Sequence, residues 1–164
     1  RDDTCLATGE LLPVKDTPFD FNKRKRIGQD LEADHIQLKN AFGYDHSFVL
    51  NDTENQLTLE EPVSGRRLVI STTAPVVQVY TGNFLKDGCI GKAGRVYENR
   101  EGVALETQLM PNAINTEENP STILRKGDKF ESNTKYVFEI SSFLIRQTEV
   151  TGYRYGICSI VAAH

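Results

Sequence analysis

The polarity pattern along this chain alternates with a period of two far more often than it repeats with the period of a helix. Residues 44–50 are rich in aromatic and β-branched side chains and stop at Asn51-Asp52, a turn signal, so they predict a strand. Gln56-Leu57-Thr58-Leu59-Glu60 alternates polar and apolar positions. Pro62-Val63-Ser64-Gly65 separates it from residues 66–72, and the two runs predict a hairpin with a short glycine-containing loop. Residues 76–80, behind Pro75, predict a further strand that Thr81-Gly82-Asn83 breaks. Residues 102–107 read as a buried strand, and Tyr136-Val137-Phe138-Glu139-Ile140 as another. Residues 86–101 and 111–120 read as irregular. A helix is expected only within residues 23–34, around Asp30-Leu31-Glu32-Ala33-Asp34, with Gly28 interrupting it. Repeated short strands with turns between them predict an all-β antiparallel sandwich.

Composition narrows the picture. The chain has 164 residues, 38% hydrophobic and 26% charged, enough apolar side chain for one packed domain or part of a larger one. A formal charge of −4 argues against nucleic acid as a partner, because phosphate binding needs a basic surface. No apolar run is long enough to span a bilayer, so no membrane partner is expected. The three cysteines, Cys5, Cys89 and Cys158, form no CxxC pair and no cluster with histidine, so no metal site is expected. Sparse free thiols predict a reducing compartment, the cytoplasm. The chain opens at Arg1 without a signal-peptide pattern, and its only methionine is Met110, so a processed chain or a fragment is expected.

Chemistry-bearing side chains are few. Asp45 and His46 are adjacent, and neighbouring strand residues point to opposite faces, so they do not serve one site together without a bulge. Glu106 stands in Val103-Ala104-Leu105-Glu106-Thr107-Gln108, sharing a face with Ala104 and Gln108. A carboxylate on such a strand is costly unless it is hydrogen-bonded or solvated, in a cleft or at an edge. Gln78 shares a face with Val76 and Tyr80, an amide and a phenol that suit sugar hydroxyls or nearby backbone groups equally. The Lys23-Arg24-Lys25-Arg26 run reads as a solvated loop, and Asn51-Asp52-Thr53 fits a glycosylation acceptor that free thiols argue against. No phosphate-binding loop, GxSxG or HExxH motif is present.

Six ordered segments give the chain a resemblance. Thr8-Gly9-Glu10, Thr17-Pro18-Phe19-Asp20-Phe21, Gly43-Tyr44-Asp45-His46-Ser47-Phe48, Gln78-Val79-Tyr80-Thr81-Gly82-Asn83, Ala104-Leu105-Glu106-Thr107-Gln108 and Pro111-Asn112-Ala113-Ile114-Asn115 follow one another, and Leu124-Arg125-Lys126-Gly127-Asp128 continues the order. Together they resemble the C-terminal half of the aldose 1-epimerase (galactose mutarotase) family. The resemblance implies a large antiparallel β-sandwich, incomplete in this chain, with residues 1–140 as its C-terminal portion and residues 141–164 as an extension without a family match. It implies interconversion of the α and β anomers of free aldohexoses such as galactose and glucose, by acid/base ring opening without a metal or organic cofactor.

Carried over position by position, the resemblance makes Glu106 the general base, Asp45 a carboxylate that holds sugar hydroxyls, and Gln78 a substrate-contacting amide. It gives His46, Lys23 and Arg26 no catalytic part. The family's acid is a histidine in the N-terminal half, accompanied there by a second histidine and an Asn-Arg pair. His35, His46 and His164 do not stand in that context, so the missing half is an expected partner. A rival from another class is a non-catalytic carbohydrate-binding sandwich. A hexose-phosphate epimerase would need an arginine cluster, and Arg66 and Arg67 point opposite ways on one strand.

Overall fold

Residue 4 and residues 6–51, 54–85, 90–116 and 122–140, together with the backbone of 157–160, are described by the computed structural model. Within them lie eight strands: β1 (Lys25–Arg26), β2 (Asp45–Val49), β3 (Leu57–Glu61), β4 (Arg66–Thr72), β5 (Val76–Tyr80), β6 (Ala104–Gln108), β7 (Thr134–Ile140) and β8 (Ile157–Ile160). They form a five-stranded sheet of order β1-β8-β3-β4-β7 and a three-stranded sheet of order β2-β5-β6, and every strand pairing is antiparallel. The all-β sandwich expectation holds. No described helix is long and apolar enough to cross a membrane.

Strand alternation explains how the sheets pack. Leu57 and Ile70 are cross-strand partners in the larger sheet, as are Leu59 and Leu68, and all four join the core. From the smaller sheet Phe48, Val77, Val79 and Leu105 point inward to meet them. Phe19, Phe21 and Tyr44 close one side of this core, with Phe21 and Tyr44 in edge-to-face contact at 5.2 Å. Tyr44 is fully buried, and its hydroxyl donates to the Pro18 carbonyl at 2.7 Å, so the phenol's polar tip is satisfied. Truncating an aromatic such as Phe48 here would cost about 3–5 kcal/mol.

The β3–β4 hairpin forms where alternation predicted it. Glu61 builds its turn by accepting from the Val63 and Ser64 backbone amides at 2.8 and 2.7 Å, while Gly65 takes a left-handed φ of 72°. At the open end the buried Gln56 side chain exchanges two hydrogen bonds with the Thr72 backbone, extending the ladder by an amide.

The helix lies elsewhere than expected. Residues 23–34 hold only a 3-10 turn, Ile27–Gln29, and the α-helix α1 spans Ile36–Ala41. His35 caps α1 by accepting from the Gln37 amide at 3.2 Å, and Leu38 and Ala41 are its buried positions. It stops because Phe42 adopts a left-handed φ of 57° and Gly43 follows. The basic run is solvated at Lys23, Arg24 and Arg26, all exposed, but it is not wholly a loop: Lys25–Arg26 form β1, Lys25 donates to the Pro18 carbonyl and pairs with Asp30, and Arg24 pairs with buried Glu60. Asp52 and Thr53 of the glycosylation pattern, Cys5, Cys89 and residues 141–156 lie outside the described residues. The backbone of Ile157–Ile160 forms β8, which pairs with β1 and β3.

Candidate active site

Apart from His46 and Thr107 the inward residues of the three-stranded sheet are apolar, and alternation turns Asp45, Ser47, Gln78, Tyr80, Glu106 and Gln108 to the opposite face. Pairing register then sets them in rows. Ser47 lies opposite Gln78, which lies opposite Glu106; Asp45 lies opposite Tyr80; Val76 lies opposite Gln108. The three residues singled out from sequence, Asp45, Gln78 and Glu106, therefore share one face on three adjacent strands. Directly opposed residues in such a ladder keep their Cβ atoms about 4.5–5.5 Å apart, close enough for joint contact with a small ligand.

Hydrogen bonds tie this face together. Gln78 donates from Nε2 to Asp45 Oδ1 at 2.6 Å, and Ser47 donates from Oγ to Gln78 Oε1. Glu106 is exposed on β6, the edge strand, so the cost of a strand carboxylate is met by solvation. Asp45, Gln78, Tyr80, Phe84, Glu106, Gln108 and Pro111 line one open hollow of about 460 Å³. Carboxylates accept, and the amide both donates and accepts, so this lining matches the hydroxyl groups of a sugar. Phe84 adds an apolar wall, its backbone amide donating to the Tyr80 hydroxyl at 3.0 Å and its ring meeting Phe42 at 5.5 Å.

His46 points the other way, as alternation requires. Its ring packs edge-on against Phe19 at 4.7 Å, and its Nδ1 accepts from the Asp45 backbone amide at 3.0 Å. A larger cavity of about 640 Å³ opens elsewhere, against Leu68, Phe138 and Ile140. Of its charged lining, Glu60, Arg67 and Glu139 are joined in ion pairs, Arg100 pairs with Glu32 and Glu101 with Arg95. Among the described residues no cluster of His, Cys, Asp and Glu is arranged to hold a metal ion.

A buried polar knot aligns the hollow. Thr81 and Asn83, 2% and 4% exposed, follow β5 and grip the segment entering β2. Asn83 Nδ2 donates to the carbonyls of Ala41 and Tyr44 at 2.9 and 3.0 Å, and Thr81 Oγ1 accepts from the Tyr44 amide at 3.1 Å. Gly43 fits against this knot with a φ of 139°; a Cβ there would collide with Asn83 Oδ1 and the Thr81 hydroxyl. The ends of β2 and β5 that carry Asp45 and Tyr80 are therefore held in register by side chains rather than by the ladder alone.

Residues 1–137 match the aldose 1-epimerase family. The chain belongs to the aldose 1-epimerase family. Galactose mutarotase from Sus scrofa is 38% identical over 143 residues, covering 85% of this chain and 40% of that protein. Aldose 1-epimerase from Escherichia coli (strain K12) is 35% identical over 134 residues, covering 78% of this chain and 38% of that protein. A crystal structure of the GalM/aldose epimerase homologue from C. elegans superposes with a TM-score of 0.72 at 30% identity, over 85% of this chain and 42% of that one. The chain thus spans about two fifths of the length of the family members it matches. All six resembling segments fall inside the family match, and strand β8 lies beyond it.

Sequence reasoning missed Ser47, Phe84 and Pro111 as neighbours of this face. Ser47 was within reach, since it stands two positions from Asp45 on the same strand and so shares its side. Phe84 and Pro111 arrive from loops, for which strand alternation carries no signal.

Proposed function

We propose that this chain carries the base side of an aldose 1-epimerase site and that its substrate is a free aldohexose, galactose or glucose. Glu106 is the general base. It takes the proton from the anomeric hydroxyl as the C1–O5 bond breaks and an acid protonates the ring oxygen. The product is the open-chain aldehyde. Rotation about C1–C2 presents the other carbonyl face. The C5 hydroxyl then closes on C1 while acid and base exchange roles, so protons balance over the cycle. Asp45 and Gln78 hold sugar hydroxyls during the rotation. The carrying observation is the register: Glu106 opposes Gln78 across the β5–β6 pair, and Gln78 is bonded to Asp45, on one open face.

In this reading the acid comes from polypeptide outside this chain, the histidine of the family's N-terminal half. Support for a docked half is the exposed apolar side of edge strand β7, where Tyr136, Phe138 and Ile140 are 46%, 78% and 64% exposed. Residues 1–140 are then the C-terminal portion of one sandwich, and 141–164 an extension of it. Cytoplasmic residence is part of the same proposal, supported by the sparse cysteines. The experiment is polarimetry on freshly dissolved α-galactose with the complete protein and its Glu106→Gln variant. Loss of about 10²–10⁴-fold in kcat is expected for removal of a positioned base. Near-normal anomerisation by the variant would overturn the assignment. Sugar binding without acceleration in the complete protein would favour the non-catalytic reading.

A further inference from the structure

The face that carries Glu106 contains one hydroxyl whose bonding has a definite consequence. Ser47 stands directly opposite Gln78 on the neighbouring strand, and its Oγ lies within hydrogen-bonding reach of Gln78 Oε1. On the other end of the same amide, Nε2 donates to Asp45 Oδ1 at 2.6 Å. Asp45 and Ser47 are two residues apart on β2, so they clasp the amide from one strand.

An ionised carboxylate only accepts, and an amide donates only through nitrogen. A flipped Gln78 would set its oxygen against the Asp45 carboxylate, placing two acceptors together. Asp45 alone favours one sense of the amide but leaves its plane free to swing about that single bond. The second bond, from Ser47, removes this freedom. We propose that Ser47 is a positioning residue for sugar binding: it locks the Gln78 amide with its nitrogen toward Asp45, so that donor and acceptor meet a sugar diol together. This rests on the active-site reading above. Ser47 itself touches no reacting atom, and Glu106 keeps its place on β6 without it.

The consequence is a split between kinetic parameters. Loosening a binding pair that grips substrate and transition state alike raises KM and leaves kcat in place. In the complete protein, Ser47→Ala and Ser47→Val are expected to raise KM for galactose about tenfold, with kcat changed by less than about twofold. Ser47→Thr restores the hydroxyl on a side chain of the same shape as valine, and KM returns toward that of the unsubstituted protein. Melting curves of the Thr and Val variants run alongside, because a merely structural role would track side-chain shape and not the hydroxyl. Equal KM for the Thr and Val variants, or no KM change in any variant, would overturn the inference. Glu106→Gln, assayed in parallel, separates the two levels. A dead Glu106→Gln with unchanged Ser47 variants removes only the positioning role, whereas an active Glu106→Gln removes the site and this role with it.

Discussion

Each sheet turns a row of three opposed polar side chains away from the core, and the rows differ at their centres. In the five-stranded sheet the row is Glu60, Arg67 and Glu139. Arg67 reaches both carboxylates, at 3.2 Å through Nε to Glu60 and 3.3 Å through its terminal nitrogen to Glu139. Arg24 covers Glu60 as well, leaving it 5% exposed. In the three-stranded sheet the row is Ser47, Gln78 and Glu106, and the central group is a neutral amide. Similar strand geometry thus carries two electrostatic designs. Where a guanidinium stands between carboxylates, their charge is spent holding strands together. Where an amide stands there, hydrogen bonds align Ser47, Gln78 and Asp45 while Glu106 stays open to solvent.

That contrast can be broken at either row. The largest structural effect is expected at Glu60. Glu60→Ala leaves Arg24 and Arg67 without their shared carboxylate in a mostly buried position, and should cost about 1–3 kcal/mol, less than a fully buried pair because both arginines are partly exposed. Urea titration of the complete protein measures it, and anomerisation at a temperature where the variant is folded should be unchanged. Next is Asn83→Ala, which takes the side-chain donor from the Ala41 carbonyl and one of the donors from the Tyr44 carbonyl in the interior and should cost about 1–3 kcal/mol. Unlike Glu60→Ala, it should also raise KM, because it frees the β2 entrance that carries Asp45. Both losses are read from one set of denaturation and rate curves.

The smallest effect concerns Asp20, in the segment before β1. Its partial desolvation pushes its carboxyl upward, but hydrogen bonds from the Asn22 side chain and backbone and from the Asp16 backbone, with the charge of Lys25, hold it below the ordinary value near 3.8. A depressed folded-state value stabilises the protein above the unfolded value. That contribution disappears as pH falls through the folded value. Asp20→Asn should therefore lower Tm slightly at neutral pH, and the gap should close in acid below 3.8. A gap that widened in acid would contradict the sign.

Much of this architecture was readable from polarity alone. The strand around Leu59 was found by alternation, and those around Phe48, Val69 and Val77 as short runs rich in β-branched or aromatic residues bounded by turn residues. The strand at Glu106 begins at Ala104, two residues later than expected, because the backbone of Arg100 is tied to the Gly82 carbonyl and the chain reaches the sheet only after Gly102. The helix was misplaced for a physical reason: α1 is a six-residue element with two buried positions, too short to show a period. Its stop, at Phe42 and Gly43, directly precedes the strand expected at residues 44–50. The site face was legible through the family resemblance, and alternation by itself gave only its constituents. The Thr81–Asn83 knot joins residues about forty positions apart, which no local pattern encodes.

The central claim, that the amide-centred row does the chemistry and the arginine-centred row does not, is tested most directly by exchanging one carboxylate for its amide in each. The rate of α-to-β galactose conversion is measured by NMR exchange for Glu106→Gln and Glu60→Gln of the complete protein, each with a melting curve. The account predicts that Glu106→Gln loses about 10²–10⁴-fold in kcat with its Tm unchanged, whereas Glu60→Gln melts lower and converts galactose at the normal rate. A Glu106→Gln variant that interconverts the anomers as fast as the unsubstituted protein would contradict it.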